Sequence, residues 1–99
     1  MQKAKKLTPA NILKLLRQHR DRFRGYKVKK MGLFGSFLKG KQNKNSDMDF
    51  LVEFEEPTFD NYMDLKFLLE RMFHKKVDLV IESSLKPALQ YIRKEARYV

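Results

Sequence analysis

The sequence predicts an α+β fold in which a small mixed β-sheet is flanked by helices, within a single domain over residues 1–99. Apolar residues recur at helical and at strand spacings in the order helix, strand, loop, strand, helix, strand, helix. A composition of 42% hydrophobic and 34% charged residues is typical of a folded domain. A length of 99 residues leaves no room for a second core.

The first elements are a basic amphipathic helix and a strand. Thr8-Pro9 predicts a helix start, because threonine caps helices and proline fits the first helical position. Gly25 is expected to end this helix, and a strand follows from Val28 to Phe34, where Gly35 stops it. The apolar face of the helix consists of Ile12, Leu15, Leu16 and Phe23.

The rest of the chain alternates between loop, strand and helix. A polar loop is expected over 39–46, followed by a second strand over 47–54. Asp60 can cap a helix that runs to about His74, and Val77 to Ile81 has the composition of a buried strand. Ser84 or a neighbour is expected to start a last helix.

The net charge of +10 is unevenly distributed along the chain. Residues 1–46 hold 14 Lys and Arg against one acid, whereas residues 47–99 hold 8 against 11. A basic half attracts polyanions such as nucleic acid, nucleotide phosphates or an acidic protein surface. The alternative is a solvated surface that only keeps the protein soluble.

The absence of cysteine excludes disulfide scaffolds, thiolate zinc sites and a cysteine nucleophile. No stretch approaches the roughly 20 apolar residues of a membrane span. The basic segment from Met1 to Lys6 is not followed by an apolar run. We therefore expect a cytoplasmic protein with no membrane partner.

The most informative motif is Phe34-Gly35-Ser36, followed ten residues later by Asp47-Met48-Asp49-Phe50. Residues two apart in a strand point to the same face, so Asp47 and Asp49 can share divalent cations, and hard oxygen ligands suit Mg²⁺. Asp78 interrupts an apolar run and is the natural third ligand, because a buried carboxylate needs a partner. Alone, each feature could be a plain turn or a solvated face, and Asp78 could pair with Lys75 or Lys76.

Together these residues resemble the nucleotidyltransferase superfamily of DNA polymerase β, and most closely its minimal nucleotidyltransferases, the MNT or MntA-type antitoxins. The resemblance implies transfer of a nucleoside monophosphate from an NTP to a hydroxyl group with two Mg²⁺ ions. It implies that Asp47, Asp49 and Asp78 are catalytic metal ligands, and that Gly35, Ser36 and Lys39 bind the nucleotide. Lys39 stands where the family commonly has arginine, so it keeps the charge without the bidentate fork.

The resemblance also implies ATP as the substrate and a partner protein as the acceptor. In that family the partner is a HEPN-domain toxin, an all-helical ribonuclease that is silenced by AMP on a tyrosine. Two alternatives stay open: nucleotidyl transfer to a small molecule, and a non-catalytic basic module that binds RNA or a toxin. Oligomers are possible.

Overall fold

The structure is a computed structural model that describes residues 7–99. The basic segment from Met1 to Lys6 lies outside the described residues. The helices are α1 Pro9–Gln18, α2 Arg20–Gly25, α3 Ser36–Lys39, α4 Phe59–Phe73 and α5 Tyr91–Glu95. The strands are β1 Val28–Phe34, β2 Met48–Phe54, β3 Val77–Ile81 and β4 Arg97–Tyr98, with short 3-10 turns at Glu82–Ser84 and Pro87–Leu89.

The four strands form one mixed sheet in the order β3-β2-β1-β4. Strand β1 pairs antiparallel with β2 and β4, whereas β2 pairs parallel with β3 across the α4 connection. The predicted small mixed sheet flanked by helices is therefore confirmed. No helix of the described residues has the length and apolarity that a membrane span requires.

The sheet has a fully buried face and a second, partly covered face. Helices α1, α2 and α4 cover the first, where Phe50 stacks on Phe73 with ring centroids 6.1 Å apart. The second face carries a smaller cluster in which Leu51 packs with residues of the C-terminal segment, namely Leu85, Ile92 and Ala96. Beyond that cluster this face is free for polar side chains.

Several element boundaries differ from the sequence predictions. The first helix is two helices, because the backbone N–H of His19 is shared between the carbonyls of Leu15 and Leu16, which tightens the chain there. The helix α4 is capped by Thr58, whose hydroxyl accepts from Asn61 N at 3.1 Å, so the prediction of Asp60 as the cap is wrong. Asp60 instead lies in the first helical turn.

The C-terminal part departs most from prediction. Instead of one helix from Ser84, the chain makes two 3-10 turns before α5. Proline at the start of the second turn cannot donate a backbone hydrogen bond, which favours short turns over one continuous helix. The two-residue strand β4 was not predicted, because a pair of residues carries no periodicity.

Candidate active site

The turn after β1 places Gly35 directly against Asp49. Phe34 is the pairing partner of Asp49 in the β1–β2 ladder, so the turn and the carboxylate meet at one end of the sheet. Gly35 has φ +79°, a conformation that favours glycine. A Cβ atom on Gly35 would overlap Asp49 Oδ2 and lie 2.9 Å from Asp49 Cγ. Only glycine leaves room for the carboxylate here.

Asp78 stands beside Asp49 on the neighbouring strand. The two residues are partners in the parallel β2–β3 ladder, so their side chains project from the same face of two neighbouring strands, and such strands lie roughly 4.8 Å apart. Asp78 is exposed, and it has no ion pair with Lys75 or Lys76 within residues 7–99. The prediction that Asp78 is buried was therefore wrong, because the second sheet face is open at this edge.

The negative charges of Asp47 and Asp78 act on the carboxyl group of Asp49. The pKa of Asp49 is raised from 3.8 to about 6, first by burial and then by the negative charges of Asp78 and Asp47. Tyr62 on α4 lies nearby and donates a hydrogen bond to the Leu79 carbonyl at 2.6 Å. The pKa of the Tyr62 hydroxyl is raised by burial and by Asp78. A site with this much unbalanced negative charge favours a bound cation.

The side chains of Asp47, Asp49 and Asp78 are not already arranged around a metal site. Among the side chains of residues 7–99, no group of three or more His, Cys, Asp or Glu is arranged closely enough to hold an ion. Asp47 precedes β2, which begins at Met48, and it is exposed like Asp78. Both side chains can therefore rotate toward Asp49, and hard carboxylate oxygens are the donors that Mg²⁺ takes. The metal-ligand roles of the three residues stay predictions.

The predicted nucleotide-binding residues fall on the short helix α3 and the turn before it. Gly35 and Ser36 start α3 next to Asp49, and the Gly35 carbonyl accepts from the Lys39 backbone N–H at 3.2 Å. The Lys39 ammonium group forms an ion pair with Glu95 of α5, Nζ to Oε2 3.7 Å. Gly35 and Ser36 are therefore brought to the acids, whereas Lys39 is engaged by the C-terminal segment.

A buried acid that sequence reasoning missed fastens the C-terminal segment to the sheet. Glu82 is 5% exposed, accepts from Tyr98 Oη at 2.7 Å, and pairs with Lys30 and Arg93 at 3.3 Å each. Burial alone would raise the pKa of Glu82, but the Tyr98 hydrogen bond and the Lys30 and Arg93 charges outweigh it, so the pKa is lowered. We call these four residues the Glu82 cluster. No sequence pattern links residues so far apart.

Four basic residues of the first half line a groove at the other end of β1. A groove of about 350 Å³ lies between α2 and β1, and its lining includes Arg20, Arg24, Lys29 and Lys30 above an apolar floor. Lys30 belongs to the Glu82 cluster, whereas Arg20 and Lys29 have no ion pair in the described part of the chain. The groove is thus positively charged and separate from the acids, which lie where β1 ends.

Comparison with known proteins gives three consistent findings. A family model described as a nucleotidyltransferase domain matches residues 13–99. The chain is 36% identical over 96 residues to the protein adenylyltransferase MntA of Thermococcus cleftensis, covering 94% of this chain and 97% of that protein. It superposes on a solved minimal nucleotidyltransferase with a TM-score of 0.79 and 27% identity, covering 95% and 98% of the two chains.

A fourth similarity is to a chain in the crystal structure of a toxin–antitoxin with AMP-PNP. The TM-score is 0.64 and the identity 28%, over 91% of this chain and 70% of that one.

Proposed function

We propose that this chain, which belongs to the minimal nucleotidyltransferases of the MntA type, transfers AMP from ATP to a hydroxyl group of a partner protein. The family resemblance predicted from the motif is confirmed by the nucleotidyltransferase match and by the MntA relative. The observation that carries the proposal is the contact of Asp49 with Gly35, with Asp78 beside it on the same sheet face. This arrangement sets a tight glycine turn next to paired carboxylates.

The turn at Gly35 and Ser36 and the three aspartates have different roles in the proposed reaction. The open turn at Gly35 lets the triphosphate approach the backbone, and the Ser36 hydroxyl can donate to a phosphate oxygen. Asp47 and Asp49, with Asp78, would hold Mg²⁺, which supplies charge neutralisation at the α-phosphate and lowers the pKa of the acceptor hydroxyl. The acceptor oxygen forms a bond to the α-phosphorus, pyrophosphate leaves, and the hydroxyl proton passes to solvent or to a carboxylate.

Asp49 has to be in its carboxylate form to hold a cation. Its pKa of about 6 means that a fraction of Asp49 is protonated in mildly acidic solution. A bound cation would favour the carboxylate and lower that pKa. Asp78 is exposed on the same face, which supports a role for it beside an incoming acceptor.

The proposed acceptor is a tyrosine of a HEPN-type toxin, and the proposed role is that of an antitoxin. The toxin–antitoxin crystal structure with AMP-PNP supports a toxin partner and an adenine nucleotide. With ATP as the proposed donor, the cytoplasm is the proposed location of the reaction.

A second candidate function is non-catalytic binding of a polyanion, and the basic groove favours it. The two candidates are separated by the double variant Asp47→Asn, Asp49→Asn. Purified chain is incubated with labelled ATP, Mg²⁺ and a HEPN-type toxin, and the toxin is analysed by mass spectrometry. The proposal expects AMP on a toxin tyrosine, with a loss of about 10³-fold or more in the variant while toxin binding persists.

A matched control for that experiment is Glu55→Gln, which removes an exposed acid that takes no part in the site. The control should transfer AMP at the wild-type rate. If the double variant still neutralises the toxin as the wild type does and no AMP is found on it, the enzyme proposal is wrong and the binding module is favoured.

A further inference from the structure

The outward face of α4 carries an apolar stripe of two exposed phenylalanines with a half-buried methionine between them. Phe59 is 77% exposed and Phe67 50% exposed, and Met63 lies between them. Residues four apart on a helix lie within about 40° of each other, so the three side chains follow one another along one side of α4. Exposed aromatic residues grouped in this way mark an interaction surface more often than isolated ones do.

The charges around the stripe differ from those of the rest of the chain. Residues 55–76 hold five acids and four Lys or Arg, so this region is nearly neutral although the whole chain carries +10. The two signs are also separated along the helix. The N-terminal end holds only acids, Glu55, Glu56, Asp60 and Asp64, whereas the C-terminal end holds Lys66, Arg71, Lys75 and Lys76 against Glu70.

We propose that the apolar stripe of α4 is a self-association surface on which two copies of this chain pack with their α4 helices antiparallel. In that orientation the acidic end of each helix lies beside the basic end of the other, and a two-fold axis makes both contacts at once. A parallel arrangement would put like charges together. The stripe is complementary to itself, whereas the basic groove suits an acidic partner.

Three charged side chains, Asp60, Asp64 and Arg71, lie on one flank of the stripe. Asp60 and Asp64 each follow a stripe residue by one position, and Arg71 follows Phe67 by four, which puts all three on the same side. In an antiparallel pair of helices, equivalent flanks face each other. Asp60 and Asp64 of one copy therefore approach Arg71 of the other.

Such a dimer leaves both active sites open. Helix α4 packs on the fully buried face of the sheet, whereas Asp49 and Asp78 project from the opposite face. Each copy then presents its acids away from the dimer axis. If the chain transfers AMP as proposed above, the dimer has two outward-facing transfer sites that can engage two partner proteins at once.

The test measures mass in solution by sedimentation equilibrium over a range of micromolar concentrations at physiological salt. The wild type should show a monomer–dimer equilibrium. The variant Phe59→Ser, Phe67→Ser should raise the dissociation constant at least about tenfold, as expected for the loss of interface anchors. Circular dichroism melting and AMP transfer are measured alongside; both should stay at wild-type levels, because the two side chains lie outside the core and the site.

A charge-exchange pair tests the orientation. One variant carries Asp60→Lys and Asp64→Lys, and the other carries Arg71→Glu and Lys75→Glu. Each alone should be monomeric because like charges meet, while an equal mixture should form a dimer.

A wild type that stays monomeric over the whole concentration range overturns the proposal, and so does a Phe59→Ser, Phe67→Ser variant that dimerises as tightly as the wild type. A mixture of the charge variants that stays monomeric overturns the antiparallel arrangement. A monomeric wild type whose toxin binding depends on the two phenylalanines would assign the stripe to the toxin instead. Because mass is read without ATP, failure here is distinct from failure of AMP transfer.

Discussion

The two faces of strand β2 carry alternate residues of the strand, and they serve different purposes. On one face Met48, Phe50, Val52 and Phe54 are 0 to 4% exposed and form the centre of the main core. On the other, the half-buried carboxylate of Asp49 comes first, and Leu51 packs in the small second cluster. Alternation along a strand thus separates stability from chemistry: one face holds the fold, and the other can tolerate a carboxylate whose ionisation is costly.

The largest stability effect should come from the core face. Replacing Phe50 by alanine removes a fully buried ring that stacks on Phe73, which should lower the free energy of unfolding by about 3–5 kcal/mol. Urea unfolding followed by circular dichroism measures it. The matched control is Tyr91→Ala, an aromatic residue that is 54% exposed, for which a change of less than about 0.5 kcal/mol is expected. Equal effects would mean that the buried Phe50 ring contributes no more to stability than an exposed ring does.

The second-largest effect is expected at Gly35, where the turn after β1 lies against the Asp49 carboxylate. The Gly35→Ala variant should lower AMP transfer about 10²-fold, because its Cβ displaces Asp49 and a displacement of this kind misplaces reacting groups. Steady-state transfer to the toxin measures it.

The control Gly40→Ala also introduces a side chain at positive φ, +69°, but its Cβ meets nothing within 4 Å. It therefore reports the backbone strain without the clash. If both alanine variants lose transfer equally, the strain alone is responsible and the contact with Asp49 is unimportant.

A moderate effect is expected for the Glu82 cluster, which ties the second face together. The Glu82→Gln variant should lose about 1–2 kcal/mol of stability at pH 7, since Lys30 and Arg93 lose a buried ionic partner but are themselves half-exposed. The pKa of Glu82 is lowered on folding. Its contribution is therefore present above the unfolded pKa and is lost as the pH falls through the folded value.

Thermal melts of wild type and Glu82→Gln between neutral and strongly acidic pH test this prediction, and the difference should shrink toward low pH. Glu95→Gln, which breaks the exposed Lys39 pair, should cost less than about 0.5 kcal/mol at any pH. A constant difference across the pH range would show that the charge of Glu82 is unimportant.

The smallest effect has the opposite sign. The pKa of Asp49 is raised on folding to about 6, so ionised Asp49 destabilises the fold above that pH, and the cost disappears below the unfolded pKa of 3.8. Without metal, Asp49→Asn should therefore have a higher melting temperature than the wild type at pH 8. Its free energy of unfolding should be higher by about 1 kcal/mol, after allowing for solvent screening of a half-buried group. The two should melt alike near pH 3.5. A less stable Asn variant at pH 8 would show that Asp49 supports the fold.

The separation between the faces also explains which features could be predicted. The strands β1, β2 and β3 and the helix α4 carry strong periodicity, and their bounds lie within a few residues of prediction. The turn and the Asp47, Asp49 and Asp78 set were predicted from local spacing and family resemblance. Other features could not be predicted because they depend on residues distant in sequence. They are the exposure of Asp78, the pairing of Lys39 with Glu95 and the Glu82 cluster.

By itself, the sequence determined the alternation of each strand, the glycine turn before the acids and the family to which the chain belongs, because these depend on residues near one another in the chain. Only the tertiary structure decided which face of the sheet stays open, since that depends on how the C-terminal segment returns to pair Arg97 with Leu33 and bury Glu82. The cover ends short of Asp49 and Asp78, and their solvent access follows from that packing.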